Sequence, residues 1–284
     1  MESLQMESKD MSEEQQIHNK ILESLETTWM GRELYCYSKV TSTNVVAKEK
    51  MQEGGASGLL VVAQEQTAGR GRRGRNWVSP KGEAVYMTLA LKPDFPPEKA
   101  SMLTLVMAYA VAQAICDVTN LSCLIKWPND IVINQKKVCG ILTEMSVGKV
   151  SIENVSIENV VIGVGINVNQ QDFPQELAEI ATSLALETGD SVERERLIAK
   201  TIKYFEDAYE MFYKEQSLAF MQKQYNELLA NCNREVVVLE PRGNYEGVAD
   251  GIDENGQLLV RKPNGELVKV YAGEVSVRGI YGYV

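Results

Sequence analysis

Residues 58 to 91 read GLLVVAQEQTAGRGRRGRNWVSPKGEAVYMTLAL, and the fold turns on the middle of this stretch. Gly58 to Val62 is a short apolar run with the make-up of a buried strand. It feeds Gly69 to Trp77, Gly-Arg-Gly-Arg-Arg-Gly-Arg-Asn-Trp. Gly69-x-Gly71-x-x-Gly74 after a strand matches the dinucleotide fingerprint, but that motif needs a helix immediately afterwards to face the pyrophosphate. Here NWVSPKG, residues 76–82, reads as a loop, and Ala84 to Leu91 reads as a second strand. The Walker A reading fails as well, because Gly74 is followed by Arg75-Asn76 and not by Lys-Ser or Lys-Thr. The unit is strand, loop, strand.

The loop holds four arginines (Arg70, Arg72, Arg73 and Arg75) in a chain of net charge -10. They repel one another, and the glycines among them are costly to order. Such a segment is expected to be loose when empty and to order around an anion. The planar guanidinium suits carboxylate and phosphate through paired, charge-assisted hydrogen bonds. A solvated basic loop is the plain alternative, but three glycines and four arginines exceed what an ordinary surface turn needs.

Around this loop the chain alternates helix and strand. Ile17 to Trp29 suggests a short amphipathic helix. Ser42 or Thr43 would cap a helix through Lys50, and Ser101 to Val118 reads as a core helix. Leu124 to Trp127 and Asp130 to Ile133 are short strands about Pro128. Val138 to Met145 and Asn159 to Val168 form an apolar hairpin, with SIENV occurring twice in tandem at 151–160 near its turn. Helical periodicity fills 192–230. Short strands follow from Glu235, separated in part by Asn255-Gly256 and Asn264-Gly265, both hairpin signals. The expected architecture is α/β (α+β), a mixed-sheet domain at 35–232 with a small β-barrel at 233–284. Residues 1–34 are read as a polar tail and short helix.

Composition narrows the chemistry. The single histidine, His18, lies in the polar N-terminal segment, so Ser-His-Asp or Cys-His catalysis and multi-histidine metal centres are unexpected. Five scattered cysteines without Cys-x-x-Cys spacing point to a reduced, cytoplasmic protein without structural zinc. A pI near 4.9 argues against general attraction to nucleic acid or anionic membrane. The acidic start does not read as a secretory leader, and the apolar run Leu103 to Ile115 is short for a bilayer.

Other segments carry polar groups in suggestive order. Lys126-Trp127-Pro128-Asn129-Asp130 sets a cation, an aromatic and an amide–carboxylate pair on one turn. A β-turn accounts for the same residues. Lys137 stands just before the strand VCGILTEM, where solvation alone would explain it. Gly140, Gly163 and Gly165 interrupt the apolar hairpin, which suggests close approach of a ligand or of another backbone. Ser42-Thr43-Asn44 could cap a helix or meet a polar, uncharged ligand group such as a urea.

Taken in order, Ser42 to Asn44, Gln66 with the Gly69–Trp77 loop, Lys126 to Asp130, Lys137 to Glu144 and Val161 to Asn167 resemble the biotin protein ligase family. The resemblance covers about residues 35 to 284. It implies a catalytic domain of the biotin/lipoate ligase type with a C-terminal SH3-like barrel. It also implies a two-step reaction: biotin and Mg-ATP give biotinyl-5′-adenylate, which then acylates a lysine of a biotin carboxyl carrier protein. Biotin and ATP with Mg²⁺ would be substrates, with no tightly bound metal or prosthetic group.

The resemblance assigns Ser42, Thr43, Asn44, Gln66, Arg70, Gly71, Arg72, Lys137, Gly140 and Gly163 to biotin. It assigns Arg75, Trp77, Asn129 and Asn167 to ATP, and Lys137, Arg72 and Asp130 to catalysis. Asp130 is open between catalysis and magnesium. Some members carry an N-terminal helix-turn-helix and act as repressors. The acidic segment of about forty residues before Ser42 leads us to expect no DNA binding. Lipoate–protein ligation on the same fold is the nearest alternative. A nucleic-acid-binding regulator and a non-catalytic biotin sensor are alternatives of another class. Monomer and homodimer are both open.

Overall fold

The computed structural model describes residues 11–149, 155–240, 243–272 and 276–279. A seven-stranded sheet forms the body. Its strands are β1 (Leu34–Tyr37), β2 (Leu59–Ala63), β3 (Ala84–Leu91), β4 (Leu124–Lys126), β5 (Asp130–Ile133), β6 (Lys136–Lys149) and β7 (Val155–Asn167). They lie in the order β1-β2-β3-β7-β6-β5-β4. Only the β1–β2 pair is parallel; every other neighbouring pair is antiparallel. The sheet is mixed, as expected.

The continuous apolar runs of β2 and β3 have a direct cause: both faces of the central sheet are covered. Leu59 and Val61 of β2 pack with Ala47 and Met51 of α2 (Thr43–Gln52) on one face. Leu60 and Val62 point the other way, into the main core with Leu103, Val106 and Val111 of α3 (Met102–Thr119). With the turn before it, α3 spans 97–119 and is apolar enough to cross a membrane by length and composition, a longer element than the run Leu103 to Ile115 suggested. In this fold it is the central core helix, with eleven buried residues.

The N-terminal segment is more than a tail. Within it, α1 (Glu13–Ser24) is capped by the Ser12 hydroxyl, which accepts from the Gln15 N–H at 3.2 Å. Ile17 and Ile21 are buried, and α1 packs against the long helix near the C-terminal end of the body. The chain from α1 then crosses Glu206, whose carboxylate accepts from the backbone N–H groups of Thr28, Trp29 and Met30 at 2.8, 2.9 and 3.0 Å. These bonds outweigh burial and hold the Glu206 carboxyl below its ordinary pKa. Residues 11–34 are therefore part of the body.

The helical region at 192–230 resolves into α5 (Arg194–Glu215) and α6 (Gln222–Leu228), preceded by the short α4 (Leu184–Thr188). The hairpin β6–β7 is longer than its apolar stretch suggested. The second SIENV copy is strand, whereas residues 151–154 of the first lie outside the described residues. Beyond the body, β8 (Arg234–Leu239), β9 (Tyr245–Ile252), β10 (Leu258–Arg261), β11 (Leu267–Val270) and β12 (Ser276–Gly279) form an antiparallel sheet in the order β11-β10-β9-β8-β12. Both Asn-Gly steps are turns, with Gly256 and Gly265 at φ +74 and +86. This five-stranded sheet occupies the place of the expected barrel.

Candidate active site

Two adjoining recesses open over the centre of the large sheet. The smaller is lined by all ten residues assigned to biotin: Ser42, Thr43, Asn44, Gln66, Arg70, Gly71, Arg72, Lys137, Gly140 and Gly163. The larger is lined by Arg75, Trp77, Asn129, Asp130 and Asn167, with 172–174, Leu177, Ile180 and Ala181 as a further wall. The second is the more spacious of the two and has room for a bulkier molecule. Gly71, Arg72, Trp77, Asn129 and Lys137 border both.

The smaller recess begins at the start of α2. Ser42 is the N-cap by position, yet its side chain makes no capping hydrogen bond; its buried hydroxyl borders the recess instead. The Thr43 N–H donates to Gln66 Oε1 at 2.9 Å, and the Thr43 hydroxyl oxygen lies 3.2 Å from the same atom. Gln66 Nε2 donates to the Ser79 hydroxyl at 3.1 Å, which itself donates to the Trp77 carbonyl at 3.0 Å. Buried Thr88 of β3 lies 2.8 Å from Thr43 Oγ1 and 2.7 Å from Asn44 Oδ1. The Thr43, Asn44, Gln66, Ser79 and Thr88 side chains are thus tied to one another before any ligand arrives.

The hairpin glycines are explained differently from the expectation of direct ligand approach. A Cβ on Gly163 would lie 2.2 Å from Asn44 Oδ1, and one on Gly165 would lie 2.6 Å from the Trp77 ring. A Cβ on Gly140 would lie 2.8 Å from that same ring and 3.1 Å from Lys137 Nζ. The space that these glycines leave is filled by side chains of the site. They border the recess, but their first task is to seat Asn44, Trp77 and Lys137 on the sheet.

The charged junction is built around Asn129. Its Oδ1 accepts from Arg72 Nη1 at 2.8 Å, while its Nδ2 donates to Asp130 Oδ1 at 3.0 Å and to the Ile141 carbonyl at 3.1 Å. Lys137 Nζ pairs with the same Asp130 oxygen at 2.7 Å and lies 5.2 Å from the centre of the Trp77 ring. Asn129, which the resemblance assigns to ATP, borders the larger recess, and both ends of its amide also contact Arg72 and Asp130. Trp77, assigned to the same side, forms a wall of both recesses. Burial pulls the Arg72 pKa down, as do Arg73 and Arg75, against the opposing charge of Asp130.

The arginine loop folds back on itself through backbone pairing. Arg70 pairs across it with Asn76, the Gly71 N–H donates to the Arg75 carbonyl at 2.7 Å, and the Trp77 N–H donates to the Gly69 carbonyl at 2.9 Å. Arg73 sits at φ +59, a left-handed conformation uncommon for a residue with a side chain. No helix follows, in line with rejection of the dinucleotide reading.

Asn167 is buried and donates to the Thr182 carbonyl at 3.0 Å. That bond, with the Lys137–Ala181 bridge, draws 170–182 against the end of β6 and forms the outer wall of the larger recess. Sequence reasoning missed this wall, which has little regular structure. It also missed Thr88, Ser79 and the contact between Trp127 and the small sheet. The buried Trp127 indole donates to the Gly256 carbonyl at 3.1 Å, tying the Asn255-Gly256 turn to the strand that leads into Asn129. Trp127→Phe is expected to lower unfolding stability by about 2 kcal/mol, because a buried carbonyl loses its donor and the core loses volume. Urea denaturation checks this; an unchanged midpoint would remove the indole contact from the account.

Among the described residues no group of three His, Cys, Asp or Glu side chains is placed to hold a metal ion. Burial pushes the Cys123 thiol up to about 12, which argues for an inert packing role.

Comparison with known proteins agrees with this geometry. Residues 35–167 match the biotin/lipoate A/B protein ligase family, and residues 232–278 match the biotin protein ligase C terminal domain. The chain is 38% identical over 255 residues to the bifunctional ligase/repressor BirA of Bacillus subtilis, covering 89% of this chain and 76% of that protein. It is 31% identical over 254 residues to the biotin–[acetyl-CoA-carboxylase] ligase of Paracoccus denitrificans, covering 85% of this chain and 99% of the relative. The solved biotin protein ligase from Aquifex aeolicus in complex with biotin and ATP superposes with a TM-score of 0.75 at 28% identity, over 87% of this chain and 99% of that one. The first family model spans biotin and lipoate enzymes alike, but the C-terminal match, the Paracoccus relative and the Aquifex structure are named for biotin. The chain belongs to the biotin protein ligase family.

Proposed function

We propose that this ligase joins biotin to ATP in the two recesses and then passes the biotinyl group to a lysine of a carboxyl carrier protein. The observation that carries this reading is the junction: the residues common to both recesses include Arg72 and Lys137, the cations a carboxylate meeting a triphosphate requires. In the first step a biotin carboxylate oxygen attacks the α-phosphorus of ATP. The bond from that phosphorus to the bridging oxygen breaks, and pyrophosphate leaves with the electron pair. In the second step the carrier amine attacks the acyl carbon and AMP leaves.

In this reading Ser42, Thr43, Asn44 and Gln66 hold the ureido ring, whose carbonyl and two N–H groups need both donors and acceptors. Arg70, Gly71 and Arg72 cover the reacting carboxylate. Lys137 offsets the charge growing on phosphorus, and Asp130 and Asn129 hold Lys137 and Arg72 in place. Arg75, Trp77 and Asn167 border the nucleotide side, and magnesium enters with ATP. A closed arginine loop would also keep the mixed anhydride from water.

The free cysteines and acidic charge fit a cytoplasmic enzyme. The acceptor is a carrier domain, with action as a monomer or a homodimer. The test is incubation of the protein with Mg-ATP, biotin or lipoate, and an isolated carrier domain, followed by intact mass. One biotinyl group on one lysine is expected; lipoyl transfer alone would turn the reading to the lipoate enzymes.

A further inference from the structure

The ordered polar network of the smaller recess does not end at Asn44. It continues to an acid outside the recess, Glu144 on β6. Asn44 Nδ2 donates to Glu144 Oε2 at 2.7 Å and approaches the Leu142 carbonyl at 3.4 Å. The other carboxylate oxygen pairs with Lys48 at 2.9 Å. Lys48 stands four residues after Asn44 on α2, so both face the same strand. The Lys48 and Glu144 side chains are each 31% exposed, a half-buried pair.

The sheet register explains why this point is sensitive. Thr88 of β3, Gly163 of β7 and Leu142 of β6 lie side by side, and the Asn44 amide lies across all three. An ionised carboxylate only accepts hydrogen bonds, so Glu144 must face the amide nitrogen. Asn44 Oδ1 is then turned to Thr88, whose single hydroxyl proton goes to it. Thr88 Oγ1 can then only accept from Thr43, and Gln66 Oε1 is pinned by the Thr43 N–H. One charge outside the recess therefore sets the donor and acceptor sense of the groups that line it.

We propose that Glu144, braced by Lys48, is a positioning residue that sets the hydrogen-bond polarity of Asn44, Thr88 and Thr43 and so the recognition of the ureido ring. This inference rests on the reading of the smaller recess as the biotin site. A neutral glutamine can offer Asn44 either an oxygen or an N–H, which leaves only the long contact to the Leu142 carbonyl to favour one orientation of the amide. The reacting carboxylate and the nucleotide lie away from this end, so the loss falls on biotin binding.

Burial raises the Glu144 carboxyl, but its bonds to Asn44 and Lys48, the Lys48 charge and the Arg70 charge outweigh it and bring the pKa below the ordinary value. Glu144 is accordingly ionised at neutral pH.

The test compares wild type, Glu144→Gln, Thr88→Val and the double variant by biotin titration calorimetry and by the kinetics of biotin-dependent pyrophosphate release. Each single variant is expected to raise biotin Kd and KM by about 10- to 100-fold, with kcat and the KM for ATP within about twofold of wild type. The double variant should be no weaker than the weaker single one, because both act through the same amide. Glu144→Asp, which keeps the charge, should recover part of the affinity, and it serves as the main comparison if the glutamine variant unfolds. Unchanged biotin affinity in Glu144→Gln, additive losses, or a joint fall of kcat and ATP binding would overturn the proposal. Failure of the wild type to bind biotin would instead overturn the underlying reading of the recess, and this inference with it.

Discussion

Lys137→Ala should cut the rate of biotin-dependent pyrophosphate release by about 100- to 1000-fold while leaving the protein folded. The expectation follows from where the ammonium sits. Its Nζ is 2.7 Å from Asp130, borders both recesses and rests near the Trp77 ring. It is thus held at the seam where carboxylate and phosphate would meet. The backbone of Lys137 is secured independently of its side chain: its N–H donates to the Ile180 carbonyl at 2.8 Å, and its carbonyl accepts from the Thr182 N–H at 2.9 Å. Truncation therefore leaves the wall of the larger recess standing. Asp130 keeps the Asn129 amide at 3.0 Å. A loss confined to the turnover rate, with biotin affinity changed far less, would mark an interaction used mainly in the transition state. Wild-type turnover in this variant would remove Lys137 from the chemistry.

Gly163→Ala should weaken biotin binding by about 100-fold or more, through steric displacement of Asn44 and without any change in charge. The new Cβ would stand 2.2 Å from Asn44 Oδ1. That amide cannot simply swing aside, because Thr88 holds its oxygen and Glu144 its nitrogen. Either the network breaks or β7 moves, and both disturb the end of the recess formed by Ser42, Thr43 and Gln66. Gly148→Ala on the same hairpin is the control. There the nearest atoms to a Cβ belong to the Glu158 side chain, at 3.0 Å, and that chain can give way. Calorimetric titration of both variants with biotin separates a specific seat from general fragility of the hairpin; equal affinities would contradict the packing argument.

The sheet was legible where burial on both faces produced unbroken apolar runs, as in GLLVV and AVYMTLAL. The parallel edge strand β1 was harder to see, because LYCY is only partly buried and has neither an apolar run nor clean alternation. In the site, the residues named for biotin converge because they belong to contiguous motifs. What the sequence hid is the wiring between motifs. Thr88 is one polar residue inside AVYMTLAL, and its partners on α2 come 44 and 45 positions earlier. The signal was present, since a lone hydroxyl in a strand buried on both faces needs a partner, but only the register supplies that partner. The same holds for Asn129, whose turn chemistry gave no hint of the Arg72 contact 57 residues away. Trp127 and Gly256 meet across 129 residues, and nothing local predicts such a pair.

The central claim is that the two recesses assemble one acyl-adenylate across the Arg72–Lys137 seam. Mass spectrometry of the purified protein with Mg-ATP and either biotin or lipoate tests it most directly. The account predicts bound biotinyl-adenylate with wild type, none with lipoate, and its loss in Lys137→Ala and Arg72→Ala. Folded wild-type protein that forms no adenylate with biotin would contradict it.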